Sequence, residues 1–149
     1  MSEVHLLRVP VPLWARAQAH TDELLREFAL MAVDPDAAGS LPARLVDLVA
    51  ALNHSYGGAS SEQEAQLYAA AHTGLPEIDL TYVVPEQAAA ASRSLADLLD
   101  EADEFCLAGR HLLTLATPPD VIRFRLWYLG EFGRQIAGLP PVSWPAYPA

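Results

Sequence analysis

The sequence predicts a mainly α-helical single domain, a bundle of about five helices with room for one short two-stranded β ribbon. Three observations lead there. Several segments space their apolar residues at the roughly 100° step of a helix. The stretch "EIDLTYVV" instead alternates apolar and polar residues, and "VHLLRV" near the start is equally extended. A chain of 149 residues, 52% hydrophobic and 19% charged, suffices for one buried core and is short for two. The helical domain is expected over residues 1–138, with a proline-rich tail over 139–149.

Over residues 12–32, Leu13, Ala17, Leu24, Leu25, Phe28 and Met31 gather on one side while Arg16, Glu23 and Arg26 lie away from it, the pattern of a surface helix with one buried face. "VDPDAAGS" supplies a loop. From 41 to 56, Leu41, Leu45, Leu48, Val49, Leu52 and Tyr56 form a narrow stripe, and Gly57-Gly58 is expected to end that helix. Ser61 stands three residues before Glu64, the spacing of a capping box, which predicts a separate third helix reaching Gly74. Ile78, Leu80 and Tyr82 then alternate with polar neighbours, and this strand is expected to pair with "VHLLRV".

Residues 86–107 give the clearest helix. Ala91, Leu95, Leu98, Leu99, Ala102, Phe105 and Cys106 share one face; Glu86, Arg93, Asp97, Asp100, Glu101 and Glu104 take the other, and Gly109 caps the end. Thr117 is read as the start of the last helix, with Pro118 in its first position and Asp120 in its first turn, running to about Gly138. The tail "LPPVSWPAYPA" is expected to be extended.

Composition removes several functions. The formal charge of −10, with 19 acids against 9 bases, opposes nucleic acid and anionic membranes. Every base is an arginine, so neither Schiff-base chemistry nor a Walker-type phosphate loop has its lysine. One cysteine cannot form an internal disulfide. Glu3, Arg8, Arg16 and two prolines interrupt any leader-like apolar run, so the N-terminus is read as part of the fold and the chain as cytoplasmic.

On the last helix, Val121, Ile122, Phe124, Leu126, Tyr128, Leu129, Phe132 and Ile136 cover an apolar arc, and the helical step puts Arg125 close to its middle. A guanidinium so placed needs a carboxylate, carbonyls, an anion or water. Two readings follow: a structural ion pair with Glu27 or Asp103, or a site for the anionic group of a small ligand. The opposite side carries Arg123, Trp127, Gly130 and Arg134 in line, a strip of the residue types that hold protein interfaces. It fits a protein partner or self-association; alternatively the tail folds back and covers Trp127 with Trp144 or Tyr147.

Other chemistry-bearing residues read as structural. His54 lies near Asp47 on a solvated face, His20 borders an apolar face beside Glu27 and Arg16, and His72 and His111 stand at helix ends; none makes a metal motif. Cys106 and His111 are five apart, but the thiol falls on an apolar face near a helix C-terminus, where the dipole opposes a thiolate. "DLLDEADEF" is a solvated acidic face. No nucleophile, base or cofactor is nominated, and an enzyme is the least supported reading.

The segments "LLREFALMA", "DEADEFC", "LLTLATPPDVIRFRLWYLGEFGRQIAG" and "SWP" resemble small actinobacterial proteins that accompany anti-sigma-type kinases and phosphatases in partner-switching systems. The resemblance implies regulation through protein contact and transfers no catalytic residue. The expected function is therefore a regulatory, protein-interacting module acting through Arg123, Trp127, Gly130 and Arg134; the alternative is a small-molecule sensor with its pocket at Arg125.

Overall fold

The structure, a computed structural model, describes residues 1–108 and 117–148. Strand β1 (Ser2–Pro10) leads directly into helix α1 (Val11–Ala32), and a single turn at Pro35–Ala37 precedes α2 (Leu41–Thr73). Strand β2 (Glu77–Val84), α3 (Gln87–Leu107) and α4 (Pro119–Ile136) follow, and the tail contains one short turn, Trp144–Ala146. The mainly helical class and the ribbon match the sequence reading.

The described helices number four because the segments expected as 41–56 and 61–74 are one 33-residue helix. Gly57-Gly58 does not end it. A glycine stops a helix by taking a left-handed conformation, and among the described residues the glycines with positive φ are Gly39, Gly74 and Gly138. Gly74, at φ 76°, is the true terminus, its N–H returning to Ala70 and Ala71. Ser61 is consequently interior: its hydroxyl donates to the Gly58 carbonyl, and that of Ser60 to Tyr56. Gly109 and His111, expected at the end of α3, lie outside the described residues.

The strands pair antiparallel, from Ser2 opposite Val84 to Pro10 opposite Glu77, with a bulge between Leu6 and Val9. Strict alternation would turn Val4, Leu6 and Arg8 inward. The bulge shifts the phase, so that Val9 joins Val4 and Leu6 in the core, all three at 0% exposure. Arg8 adopts φ 56° to do this, a conformation that costs a side-chain-bearing residue about 1–2 kcal/mol. It is held by β2: its N–H donates to Asp79 Oδ1 at 2.7 Å and its Nε to Glu77 Oε1 at 2.9 Å.

Contacts run α1 to α2, α2 to α3, α3 to α4 and α4 back to α1, closing the helices into a ring, while the ribbon packs on α2 through β2 and on α4 through β1. The core has two parts. One joins the ribbon's inner face to Trp14, Leu67, Phe124, Trp127 and Phe132. The other gathers Leu24, Phe28, Leu45, Leu99, Ala102 and Cys106. Among the described residues, no helix is long and apolar enough to cross a membrane.

Candidate functional site: a cavity inside the helical ring

Between the two parts of the core lies a cavity of about 400 Å³, lined by residues of all four helices and of β2. Its volume corresponds to about a dozen water molecules and falls in the range of pockets that take small organic ligands. Trp14, Tyr56, Tyr82, Phe124, Tyr128 and Phe132 make it aromatic. Polar groups enter the lining from every helix: Gln18, His20 and Thr21 of α1, Asn53, Ser60 and Glu64 of α2, Ser92 of α3 and Arg125 of α4, with Thr117 just before it.

Arg125 stands about 100° round α4 from Phe124, at the border of the buried face rather than at its middle. The face itself is turned from the expected arc: Leu126 is 41% exposed and Trp127 is 1% exposed. The Arg125 side chain, 11% exposed, gives Nη2 to Asp103 Oδ2 at 2.7 Å and to Asp100 Oδ1 at 2.9 Å. Asp103 was an expected partner; Asp100 joins it from the supposedly solvated side of α3. Glu27, the other candidate, stands on α1 where its charge, after burial and the charge of Asp103, raises the pKa of the Cys106 thiol. The Nε–H of Arg125 is buried and has no acceptor among the described residues.

Asp103 continues the network. It accepts a short hydrogen bond from the Thr117 hydroxyl, and Thr117 Oγ1 lies 2.9 Å from His20 Nε2. Because the single hydroxyl proton goes to Asp103, His20 must carry its proton on Nε2 and donate it. Thr117 is thus not the helix cap it was expected to be; α4 begins one residue later, with Pro118 in the N-cap position. The order of groups also argues against a nucleophile. In a hydrolytic triad histidine stands between hydroxyl and carboxylate and takes the hydroxyl proton, whereas here the hydroxyl stands between the other two and gives its proton to the carboxylate.

On another part of the wall the Tyr82 and Tyr128 hydroxyls share a short hydrogen bond. Burial pushes the Tyr82 pKa up to about 12, offset in part by the bond to Tyr128 and helped by the charge of Glu64. Tyr128 is raised well above the ordinary range, first by burial, then by Tyr82 and Glu64.

The strip expected on the outer side of α4 is occupied from within the chain. Trp127 donates from Nε1 to the Val142 carbonyl at 2.8 Å, and Trp144 packs on it with ring centroids 5.6 Å apart. Arg123 donates to the carbonyls of Tyr147 and Pro148 and lies 4.4 Å from the centre of the Trp144 ring. Arg134 pairs with Glu131 at 2.6 Å and reaches the Pro140 carbonyl. Gly130 is not a close-approach point, since a Cβ there would meet nothing within 4 Å. The tail that covers Trp127 through Trp144 was the second of the two sequence readings. Arg123, Trp127 and Arg134 are therefore intramolecular clamps.

Sequence reasoning missed Glu131 and Gln135, which continue the row 123, 127, 131, 135 at intervals of four. Glu131, 2% exposed, accepts the Val142 N–H at 2.7 Å. Gln135 accepts the His5 N–H at 2.7 Å and donates to the His5 carbonyl at 2.8 Å, closing the free edge of β1. Across the ribbon, His5 faces Thr81, and the Thr81 carbonyl is taken by Gln63 of α2 at 2.6 Å. The signal was available as an i, i+4 row, but the reading followed 130 and 134 instead.

Among the described residues no group of three or more histidine, cysteine or acidic side chains could hold a metal ion. Comparison of the chain with protein-family models, with curated proteins and with solved structures gives no match.

Proposed function

We propose that this chain is a non-enzymatic binding protein that senses a small, largely apolar molecule held inside the helical ring. The observation that carries this reading is the aromatic cavity of about 400 Å³, lined by six aromatic side chains and by residues of all four helices. Concave sites of this size, lined mainly by aromatic and aliphatic side chains with a few polar groups among them, are where small molecules bind. The protein-interaction reading loses its main support because the tail already covers the aromatic and basic strip. A regulatory role keeps a route: α4 faces the cavity through Phe124, Arg125 and Tyr128 and clamps the tail through Arg123, Trp127 and Glu131.

The test is thermal melting of the full chain against a panel of aromatic compounds of differing charge. A ligand at about a hundred times its Kd adds about 2.7 kcal/mol of stability. Ala91 lines the cavity, so Ala91→Phe should fill part of it and abolish the shift. If no compound raises the melting temperature of the wild-type chain, or if Ala91→Phe responds as the wild type does, the site is not a binding cavity.

A further inference from the structure

We infer that the molecule held in the cavity is an amphiphilic organic cation, with an apolar ring system inside and a protonated or quaternary nitrogen at the mouth beside Glu64. The inference rests on the cavity being a binding site and adds the charge and orientation of its occupant. Glu64 supplies the carboxylate of the lining, which includes no aspartate and no other glutamate. Because Glu64 is also exposed, it stands where the cavity meets solvent. It belongs to the inner row of α2: Tyr56, Ser60 and Glu64 follow one another at intervals of four, and all three line the cavity. Burial is the main reason that the Tyr82 and Tyr128 hydroxyls resist ionisation, and the negative charge of Glu64 adds to it at both. The carboxylate is thus on the tyrosine side of the opening.

The ion pairs among the described residues leave Glu64 out. Arg125, the arginine of the lining, is already matched, since its Nη2 contacts Asp100 and Asp103, two carboxylates against one positive charge. An anionic ligand would therefore meet excess negative charge while losing its own hydration. A neutral ligand would suit the apolar walls but would draw nothing from Glu64. A cation gains twice. Glu64 attracts it without first having to be stripped of water, and the faces of aromatic rings carry negative partial charge. Gln18, Thr21, Asn53, Ser60 and Ser92 can each both donate and accept hydrogen bonds, so they solvate a polar group of either sign and do not choose between them. Selection by charge falls to Glu64.

The experiment titrates the full-length protein by calorimetry with three ligands that share a naphthalene body: naphthylmethyl-trimethylammonium, a cation; naphthalenemethanol, neutral; and naphthylacetate, an anion. The cation should bind about fivefold to tenfold more tightly than the alcohol, the gain expected from one exposed ion pair with some attraction to the rings, and the acetate more weakly than either. Added salt should narrow the gap. Glu64→Gln keeps the size of the side chain and removes its charge. It should bring the cation to within about twofold of the alcohol, with the alcohol's own affinity and the circular dichroism spectrum unchanged. Ala91→Phe, inside the cavity, should weaken both ligands together. Alcohol binding as tight as that of the cation, or a full preference for the cation in Glu64→Gln, overturns the inference and leaves the cavity a binding site. Cation binding that survives Ala91→Phe while alcohol binding is lost also overturns it, because the cation then sits on the acidic surface. If none of the three binds, the inference and the binding function fall together.

Discussion

Trp127 and Glu131, one turn apart on α4, hold the two backbone groups of a single tail residue: the indole N–H donates to the Val142 carbonyl and the Glu131 carboxylate accepts the Val142 N–H. A proline-rich tail has few N–H groups to offer and no sheet to join. Side chains must make its backbone bonds for it. Arg123 does the same for Tyr147 and Pro148, and Gln135 does it for His5 at the other end of the chain. One row of α4 thereby fastens both termini.

Removal of the tail after Gly138 should be strongly destabilising. It uncovers the Trp127 ring, deletes the backbone groups of Pro140, Val142, Tyr147 and Pro148 that α4 side chains bond, and leaves the buried Glu131 carboxylate with fewer donors. A loss of about 3–5 kcal/mol is expected from those mechanisms together, read as a lower denaturant midpoint. Tryptophan emission should shift to the red even though partly exposed Trp144 has been deleted, because Trp127 becomes wet.

Gln135→Ala should cost about 1–3 kcal/mol, since it removes both partners from a β1 edge residue. Hydrogen exchange at the His5 amide should accelerate more than at Val4 or Leu6, whose strand partners remain. Gln135→Glu tests the geometry. The carboxylate can still accept the N–H but sets its second oxygen against the His5 carbonyl, so it should not restore the loss.

The fold was legible where one physical signal dominated. Leu95, Leu99 and Ala102 and the alternation through Leu80 and Tyr82 place α3 and β2 because burial alone decides them. The break at Gly57-Gly58 was misread because sequence shows the residue type but not its φ, and helical φ is open to glycine. The outward reading of Trp127 failed for a related reason. The helical step defines an angle but cannot tell which neighbour, core or returning tail, covers it. Arg125 was recognised as needing a partner, and Asp103 was one of two named. The cavity has no linear signature, since its lining comes from five elements far apart in sequence.

The two carboxylates on Arg125 should behave differently. Asp100 has a side chain 54% exposed and Asp103 one 13% exposed. Asp100→Ala should change stability by less than about 1 kcal/mol. Asp103→Ala leaves Arg125 and the Thr117 hydroxyl short of an acceptor and should cost about 3 kcal/mol or more. Arg125→Met should cost a similar amount, and the double variant Arg125→Met with Asp103→Ala should recover part of it, because no unpaired buried charge then remains. Chemical denaturation of the four proteins gives the coupling directly.

Alkaline stability should fall in a defined window. Tyr82 carries a pKa of about 12 in the folded chain, and Tyr128 is also raised, against about 10 for an unfolded tyrosine. Above pH 10 the unfolded chain releases these protons while the folded chain retains them, so the unfolded state binds fewer and stability decreases with pH. The stabilisation is complete below about pH 10 and is lost between about pH 10 and 12. Tyrosinate absorbance and helical circular dichroism should change together across that range. In Tyr82→Phe the alkaline loss should be smaller, from a baseline reduced by about 1 kcal/mol for the missing hydrogen bond.

Gly57 and Gly58 offer the last test, because they weaken α2 where it borders the cavity. Both have helical φ, and a Cβ at either position would meet nothing within 4 Å. Neither close packing nor a left-handed turn therefore requires glycine, and each costs a helix about 1 kcal/mol relative to alanine. Ser60 adds to the weakness by bonding back to the Tyr56 and Gly57 carbonyls, an arrangement that bends helices. Gly57→Ala and Gly58→Ala should each stabilise the chain by up to about 1 kcal/mol. If local opening of α2 admits the ligand, Gly58→Ala, outside the lining, should slow ligand association and dissociation together while leaving affinity nearly unchanged. Stabilisation with unaltered exchange rates would place the entrance elsewhere on the ring.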